Sequence, residues 1–222
     1  MHRPPLSQTT SLRLKSLAMG WLVSLSTLTT LPGAPARPSE TVDADVVVYG
    51  GSAAGVVAAV QAARMGKSVI VIEPGRHLGG LTSGGLGMTD TGVKTTIGGV
   101  SREFYERIYR HYQTPEAWRQ TTRKEYLDWL PTHWAGGPKD AEFGKIQFVF
   151  EPHVAERIFN EMVSEAGVKV VYRERLDLKR GVKKRGPTIT SVTMESGRTF
   201  AAKVFVDATY EGDLLAMAKV SY

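Results

Sequence analysis

The chain has 222 residues, of which 42% are hydrophobic and 23% charged, as in globular proteins, which excludes a disordered, collagen-like or multi-span membrane chain. Cysteine is absent, which excludes disulfides, thiolate zinc sites and catalysis by a thiol or a redox-active cysteine pair. The formal net charge is +6, but much of it lies in the first 36 residues and in residues 173–187. The second of these segments holds seven basic and two acidic residues. Because no aromatic residues are interleaved with these charges, as base stacking requires, we predict a solvated turn between strands in residues 173–187 and no nucleic-acid partner.

The amino terminus has the order of features that is typical of a secretory signal peptide. Basic residues come first, an apolar run follows over residues 17–31, and Ala34 and Ala36 supply small residues at a cleavage site. The run of 15 residues is too short to span the roughly 30 Å of a bilayer core comfortably. We therefore predict a signal peptide over residues 1–36, a linker over residues 37–44, export to the periplasm or the medium, and no stable membrane span after cleavage. An uncleaved anchor and a disordered leader remain alternatives. No arginine pair precedes the apolar run, so the sequence does not indicate a twin-arginine signal.

The mature part of the chain opens with the pattern of a βαβ unit. A strand, a glycine turn, an Ala-rich helix and a second strand are predicted over residues 45–49, 50–55, 56–65 and 68–72. Both strands are continuous β-branched runs, which is typical of strands buried on both faces. Gly66 stands where a left-handed cap would end the helix. Since such units are right-handed with parallel strands, we predict an α/β fold built on a parallel sheet.

The rest of the chain alternates glycine-rich, aromatic-rich and regular segments. Residues 79–99 carry eight of the 23 glycines, which predicts a flexible loop or backbone lying close against another group. Residues 101–134 carry eight of the 19 aromatic residues, which indicates core packing or, alternatively, a cap that faces a substrate. The further predicted elements are a helix over residues 101–112 with Ser101 as its N-cap, an amphipathic helix over 152–166, a strand over 168–172, a hairpin over 188–202, a buried strand over 203–208 and a helix over 211–220.

The glycine turn approximates the dinucleotide fingerprint G-x-G-x-x-G, with Gly50 and Gly55 at its ends and Ser52 in place of the middle glycine. Gly50 permits the sharp turn, a small residue at position 52 lets a pyrophosphate approach, and Gly55 lets the helix pack close to the strand. Amides at the helix start would hold the phosphates. Glu73 ends the second strand, where a carboxylate can accept hydrogen bonds from ribose hydroxyls, which disfavours NADP. FAD and NAD both remain open, as does a turn that merely requires small residues.

At this point the chain resembles a family, the exported bacterial FAD-dependent oxidoreductases with a glutathione-reductase-like FAD-binding domain. The matching segments are DVVVYGGSAAG at 45–55, EPGRHLGGLTSGGLG at 73–87, GGVSREFY at 98–105, EPHVAE at 151–156 and DATYEGDL at 207–214. The resemblance implies a Rossmann-like FAD-binding domain with a parallel sheet and a partial inserted α+β substrate or cap region. It divides the chain into a βαβ unit with a glycine-rich flavin loop over 45–100, an aromatic-rich insertion over 101–150, and the truncated remainder of the FAD-binding domain over 151–222.

The resemblance also implies where FAD binds. The segment over residues 76–80 would pass the pyrophosphate and flavin, the strand over 168–172 would meet the adenine side, and residues 207–209 would return to the nucleotide half. Asp213 matches a motif acid, with an acid favoured at a helix start as the alternative. The predicted cofactor-binding residues are Gly50, Gly51, Ser52, Ala53, Ala54, Gly55, Glu73, Pro74, Arg76, Gly79, Gly80, Leu81, Thr82, Val170, Asp207, Ala208 and Asp213. No metal site and no catalytic residue is assigned, and His77, His111, His133 and His153 are each predicted to be structural or solvated.

The resemblance implies an oxidoreductase that removes a hydride from an unidentified small or carbohydrate-like substrate and passes it to the flavin. Members of the family continue well beyond the position of Tyr222, so we expect this chain to be a truncated amino-terminal part and the activity to belong to the full-length form. Lys219 stands where the family favours glycine. The alternatives are a non-catalytic nucleotide-binding fragment and an NAD-dependent dehydrogenase, the latter disfavoured because the plain NAD pattern has no use for the glycines of residues 79–87.

Overall fold

The computed structural model describes residues 41–90, 92–133 and 142–221, so the predicted signal peptide lies outside the described residues. The described helices are α1 (Ala53–Arg64), α2 (Gly99–His111), α3 (Arg123–His133), α4 (Pro152–Glu165) and α5 (Asp213–Met217). The described strands are β1 (Thr41–Tyr49), β2 (Val69–Glu73), β3 (Glu142–Phe143), β4 (Ile146–Gln147), β5 (Lys169–Tyr172), β6 (Val182–Arg185), β7 (Thr188–Thr193) and β8 (Thr199–Asp207).

A six-stranded sheet with the order β5-β2-β1-β8-β7-β6 forms the centre of the described fold. The first four of these strands are parallel, whereas β7 and β6 are antiparallel to their neighbours. This mostly parallel α/β architecture confirms the predicted fold class. The segment between α1 and α4 contributes α2, α3 and the short antiparallel pair of β3 and β4, which has the predicted α+β composition.

Two strands are longer than the sequence pattern predicts. The strand β1 begins at Thr41, inside the predicted linker, and β8 runs without a break through the end of the predicted hairpin and the strand predicted after it. The reason is mutual pairing, because residues 41–44 find partners in residues 199–202 of β8. The prediction that residues 203–208 are buried was wrong in part, since the side chain of Val204 is 51% exposed.

The basic segment over residues 173–187 is not only a turn. It contains β6, whose residues pair with β7 at the edge of the sheet. The charged side chains of β6 are exposed, and the Lys184 Nζ atom donates a hydrogen bond to the carbonyl oxygen of Ala218 at 2.6 Å. Exposed charges on an edge strand discourage pairing with another chain, which gives these residues a structural role.

The ends of two helices differ from their predicted positions. The helix α2 has Gly98 as its N-cap rather than Ser101, because the Arg102 amide already donates to the carbonyl oxygen of Gly98 at 3.1 Å and places Ser101 inside the first turn. The helix α5 is shorter than predicted and ends before Lys219, whose φ of 57° is left-handed. Glycine adopts that conformation without strain, which suits the family preference for glycine at this position.

The sheet has a hydrophobic core on each face. On one face α1, α2 and α4 cover Val48 and Val71, and the rings of Phe104 and Phe159 stack with centroids 4.4 Å apart. The opposite core contains Val47, Ile72 and Phe200. It also contains Val192 of β7, Met194 directly after this strand, and Leu214 of α5. Much of the aromatic enrichment after residue 100 therefore belongs to the core, as one of the two interpretations predicted.

An ion-pair network holds the three helices of the first face together. Glu103 of α2 contacts Arg64 of α1 at 2.5 Å and Arg107 at 2.8 Å, and Arg107 in turn contacts Glu165 of α4 at 2.5 Å. Hydrogen bonds from the two guanidinium groups lower the pKa of Glu103 to about 2.

Within the residues that the structure describes, no helix combines the length and apolarity needed to cross a membrane.

Candidate dinucleotide site

A cleft of about 210 Å³ opens where β1, β2 and β8 end. The three strands are parallel neighbours, so their carboxyl ends meet at one edge of the sheet, where open α/β sheets bind ligands. The lining residues follow these three strand ends and are Gly50, Ser52, Glu73, Pro74, His77, Gly80, Ala208, Thr209, Tyr210 and Glu211. Six of the predicted cofactor-binding residues are among them.

The two fingerprint glycines are required by close backbone contacts. Gly50 has a φ of 101°, and a Cβ atom at this position would lie 2.8 Å from the backbone of Ala208 and of Thr209. A Cβ atom at Gly55 would lie 2.0 Å from the carbonyl oxygen of Gly50. A side chain at either position would therefore collide with backbone, which explains both residues without reference to a ligand.

Ser52, which replaces the middle glycine, connects the turn to the loop after β8. It is the N-cap of α1, and its hydroxyl accepts a hydrogen bond from the Gly55 amide at 3.3 Å. The same hydroxyl donates to the carbonyl oxygen of Ala208 at 2.7 Å. The first turn of α1 contains no acidic residue, so the dipole of this helix start favours a phosphate.

Glu73 lines the cleft but also shapes the glycine turn. Its Oε2 atom accepts a hydrogen bond from the Gly51 amide at 2.7 Å, and its Oε1 atom accepts one from the Gly75 amide at 2.5 Å. Each carboxylate oxygen can accept more than one hydrogen bond, so a ribose hydroxyl can bind in addition. The predicted ribose contact stays a prediction, and the two amide contacts are a role that sequence reasoning missed.

Asp207 organises the loop after β8 instead of lining the cleft. Its Oδ1 atom accepts hydrogen bonds from the amide and the hydroxyl of Thr209, at 3.0 and 2.7 Å, and its Oδ2 atom accepts one from the Leu215 amide at 3.0 Å. This carboxylate thus holds the loop that carries the lining residues Ala208 to Glu211. Asp213 does not line the cleft, and it occupies the first turn of α5, as the alternative interpretation predicted.

Tyr210 joins the loop after β8 to the glycine-rich loop. Its hydroxyl accepts a hydrogen bond from the Leu81 amide at 2.8 Å, and a Cβ atom at Gly80 would lie 2.2 Å from it. The Gly79 amide donates to the carbonyl oxygen of Gly51 at 2.7 Å, which ties the glycine-rich loop to the turn. Tyr210 was not predicted as a site residue, although it lies within the family-like segment over residues 207–214.

The remaining predicted residues lie in several places. Ala53, Ala54 and Thr82 line a second groove of about 410 Å³ beside α2. Arg76 is exposed and does not line the cleft. Val170 lies on the edge strand β5, where it pairs with Val71 and packs against the core, so the structure does not bring its side chain to the cleft.

His77 lies at the cleft although it was predicted to be structural or solvated. Its Nδ1 atom is 2.7 Å from the Oε1 atom of Glu156 on α4, and its side chain is exposed. The contact connects the segment after β2 to α4 at the edge of the cleft. Sequence reasoning had no signal for this pairing, because the two residues are far apart in the chain.

Residues 45–222, most of the chain, match the family described as FAD dependent oxidoreductase. The chain belongs to this family. A curated relative, the 4-oxocyclohex-2-ene-1-carboxylate 5-dehydrogenase of Sinomonas cyclohexanicum, is 33% identical over 97 residues, which cover 43% of this chain and 16% of the relative. The fingerprint left FAD and NAD open, and membership of this family shows that FAD is the cofactor.

Solved structures share the fold at low sequence identity. A geranylgeranyl bacteriochlorophyll reductase-like protein from Thermoplasma acidophilum superposes with a TM-score of 0.51 at 18% identity, covering 82% of this chain and 43% of that protein. An L-amino acid deaminase from Proteus vulgaris has a TM-score of 0.48 at 17% identity, covering 83% of this chain and 50% of that protein. The chain thus spans half or less of the length of each of these proteins.

The cleft has the features that the nucleotide part of FAD requires. Gly50 and Ser52, the N-cap of α1, line the cleft, so the positive end of the helix dipole lies at its wall, and Glu73 offers acceptors for ribose hydroxyls. FAD, when bound, supplies the hydride-accepting chemistry. The residues that line the cleft would hold and orient the nucleotide.

Proposed function

We propose that this chain forms the nucleotide-binding part of an exported flavoprotein that oxidises a small molecule by hydride transfer to FAD. The observation that carries the proposal is the cleft at which the glycine turn, the start of α1 and Glu73 converge, in a chain whose residues 45–222 match the FAD dependent oxidoreductase family. The chain covers 16% of its dehydrogenase relative, so we assign the activity to the full-length protein.

The substrate class is a second part of the proposal. The relative is named for 4-oxocyclohex-2-ene-1-carboxylate, a ring-shaped acid, whereas the resemblance suggested carbohydrate-like compounds. We therefore propose a small molecule as the substrate, and ring-shaped acids and sugars are the two sets of compounds to test first.

The test is whether FAD stays with the chain and becomes reduced. We expect the purified chain to retain a yellow flavin chromophore, to bind added FAD in preference to NAD, and, in the full-length form, to reduce an artificial electron acceptor with a compound of the two sets. Preference for NAD would contradict the proposal. Retention of FAD without turnover in the full-length form would support the alternative of a non-catalytic nucleotide-binding protein.

Export is a separate part of the proposal. It is supported by the order of basic, apolar and small residues in the first 36 positions. We expect mass spectrometry of the protein from the periplasm or medium to show a chain that starts near Arg37. Recovery of the intact form that begins at Met1, from the cytoplasm alone, would contradict export.

A further inference from the structure

One edge of the sheet carries a dense group of positive charges. The basic edge, residues 178–185 with the sequence LKRGVKKR, contains five cations and no acid. Even a fully extended chain of this length spans only about 28 Å, so the charges lie close together. The segment ends in β6, the last strand of the sheet on this side. The cations are all exposed and are Lys179, Arg180, Lys183, Lys184 and Arg185.

These charges are not neutralised within the described part of the chain, where none of the five cations forms an ion pair with a carboxylate. Lys184 donates to the backbone carbonyl of Ala218 and keeps its charge. Asp177, the acid directly before the basic edge, accepts hydrogen bonds at its Oδ1 atom from the amides of Lys179 and Arg180, at 2.8 and 3.3 Å. The surface therefore presents an excess of positive charge to solvent.

The turn at the start of the basic edge keeps an apolar side chain out of the core. Leu178 is 53% exposed, whereas Leu176, two residues earlier, is 1% exposed. The Gly181 amide donates to the carbonyl oxygen of Asp177 at 2.7 Å, and the Thr193 amide donates to that of Gly181 at 2.7 Å. A Cβ atom at Gly181 would lie 2.4 Å from the Asp177 carbonyl oxygen, so the turn is tightly closed. Leu178 is thus held next to the cations in a preformed turn.

We propose that the basic edge binds the surface of a membrane that contains anionic lipids. The cations would lie against the headgroup phosphates, and Leu178 would enter the boundary of the acyl chains. A lipid surface matches both features, because it places a layer of negative charge next to an apolar layer. A soluble polyanion would use the cations but would leave Leu178 without a role. The basic edge shares no residue with the lining of the dinucleotide cleft, so the proposal does not depend on FAD binding.

The test is sedimentation with lipid vesicles of the FAD-saturated chain that starts at Arg37, the mature form predicted after export. This form lacks the apolar run of residues 17–31, which would itself bind lipid. We expect binding to vesicles of equal parts of phosphatidylglycerol and phosphatidylcholine, which weakens as salt is added, and much weaker binding to phosphatidylcholine alone. Equal affinity for the two kinds of vesicle would overturn the proposal.

A matched pair of double variants tests whether the basic edge is the part that binds. The variant with Lys179→Gln and Arg180→Gln should bind the anionic vesicles about 10- to 30-fold more weakly, since each cation at the surface contributes about 5-fold. The control carries Lys67→Gln and Lys169→Gln, two exposed lysines outside this edge, of which the second lies on the opposite edge strand β5. It should weaken binding by less than about 3-fold, because distant surface charges are screened by salt.

Leu178→Ser separates a lipid surface from a soluble polyanion. We expect this variant to bind the anionic vesicles about 3- to 10-fold more weakly, because a half-exposed leucine loses its contact with the acyl chains. Its binding to inorganic polyphosphate should equal that of the parent chain. Unchanged vesicle binding by a folded Leu178→Ser chain would indicate a soluble polyanion and would overturn the proposal.

An equal loss of vesicle binding in the two double variants would also overturn the proposal, since the effect would then come from net charge alone. Thermal unfolding shows whether each variant is folded. If the variant of Lys179 and Arg180 fails to fold, the choice of the parent chain between the two kinds of vesicle and the result for Leu178→Ser decide the question. FAD affinity is measured in the same samples, so a failure of the proposed cofactor function is seen separately.

Discussion

Gly55→Val and Gly50→Val are each expected to remove the native fold and FAD binding together. A Cβ atom at Gly55 would lie 2.0 Å from a backbone oxygen, and one at Gly50 would lie 2.8 Å from the backbone of Ala208 and Thr209 in a left-handed conformation. Backbone cannot move away as a side chain can, so we expect a loss of more than about 4 kcal/mol in the free energy of unfolding. The measurements are soluble yield, thermal unfolding by circular dichroism, and FAD titration.

The matched control for these variants is Gly92→Val. Among the described residues other than Gly92 itself and its chain neighbours, no atom lies within 4 Å of a Cβ atom built at Gly92, and this residue is not left-handed. We expect Gly92→Val to unfold at nearly the temperature of the parent chain and to bind FAD equally well. A Gly55→Val chain with the parent's unfolding temperature would show that the close contact at the turn does not exist.

Glu73→Ala is expected to fold, with lower stability, and to bind FAD about 10- to 150-fold more weakly. The weakening corresponds to one charge-assisted hydrogen bond to ribose, about 1.5–3 kcal/mol. The lower stability follows because the Gly51 and Gly75 amides lose the carboxylate that they share. Both effects come from one residue, so the experiment must separate the ribose contact from the support of the turn.

Titration with ADP and 2′-deoxy-ADP separates the two roles of Glu73. If the carboxylate accepts from the 2′-hydroxyl, the parent chain prefers ADP, and Glu73→Ala loses this preference, as in a double-mutant cycle. If the preference is the same in both chains, Glu73 does not accept a hydrogen bond from the 2′-hydroxyl. Glu211→Ala is the control, because Glu211 is an exposed acid of the same cleft, and its removal should not weaken binding.

Local patterns were sufficient to predict the part of the fold that carries the fingerprint. The β-branched runs and the glycine turn predicted β1, α1 and β2, and the amphipathic pattern predicted α4 to within one residue of its observed end at Glu165. These elements were predictable because burial on both faces of a strand leaves a continuous apolar run, and burial on one face of a helix leaves a periodic pattern. The end of the second apolar run located Glu73 at the end of β2, at the edge of the cleft.

Tertiary structure decided the features that depend on residues distant in the chain. Thr41 extends β1 because Thr199 of β8 pairs with it, and no pattern near residue 41 contains that information. Tyr210 becomes a site residue because the Leu81 amide donates to its hydroxyl. The sequence by itself determined the βαβ unit and the dinucleotide fingerprint, since both depend on neighbouring residues. The loop contacts around the cleft depend on long-range packing, which only the folded chain brings about.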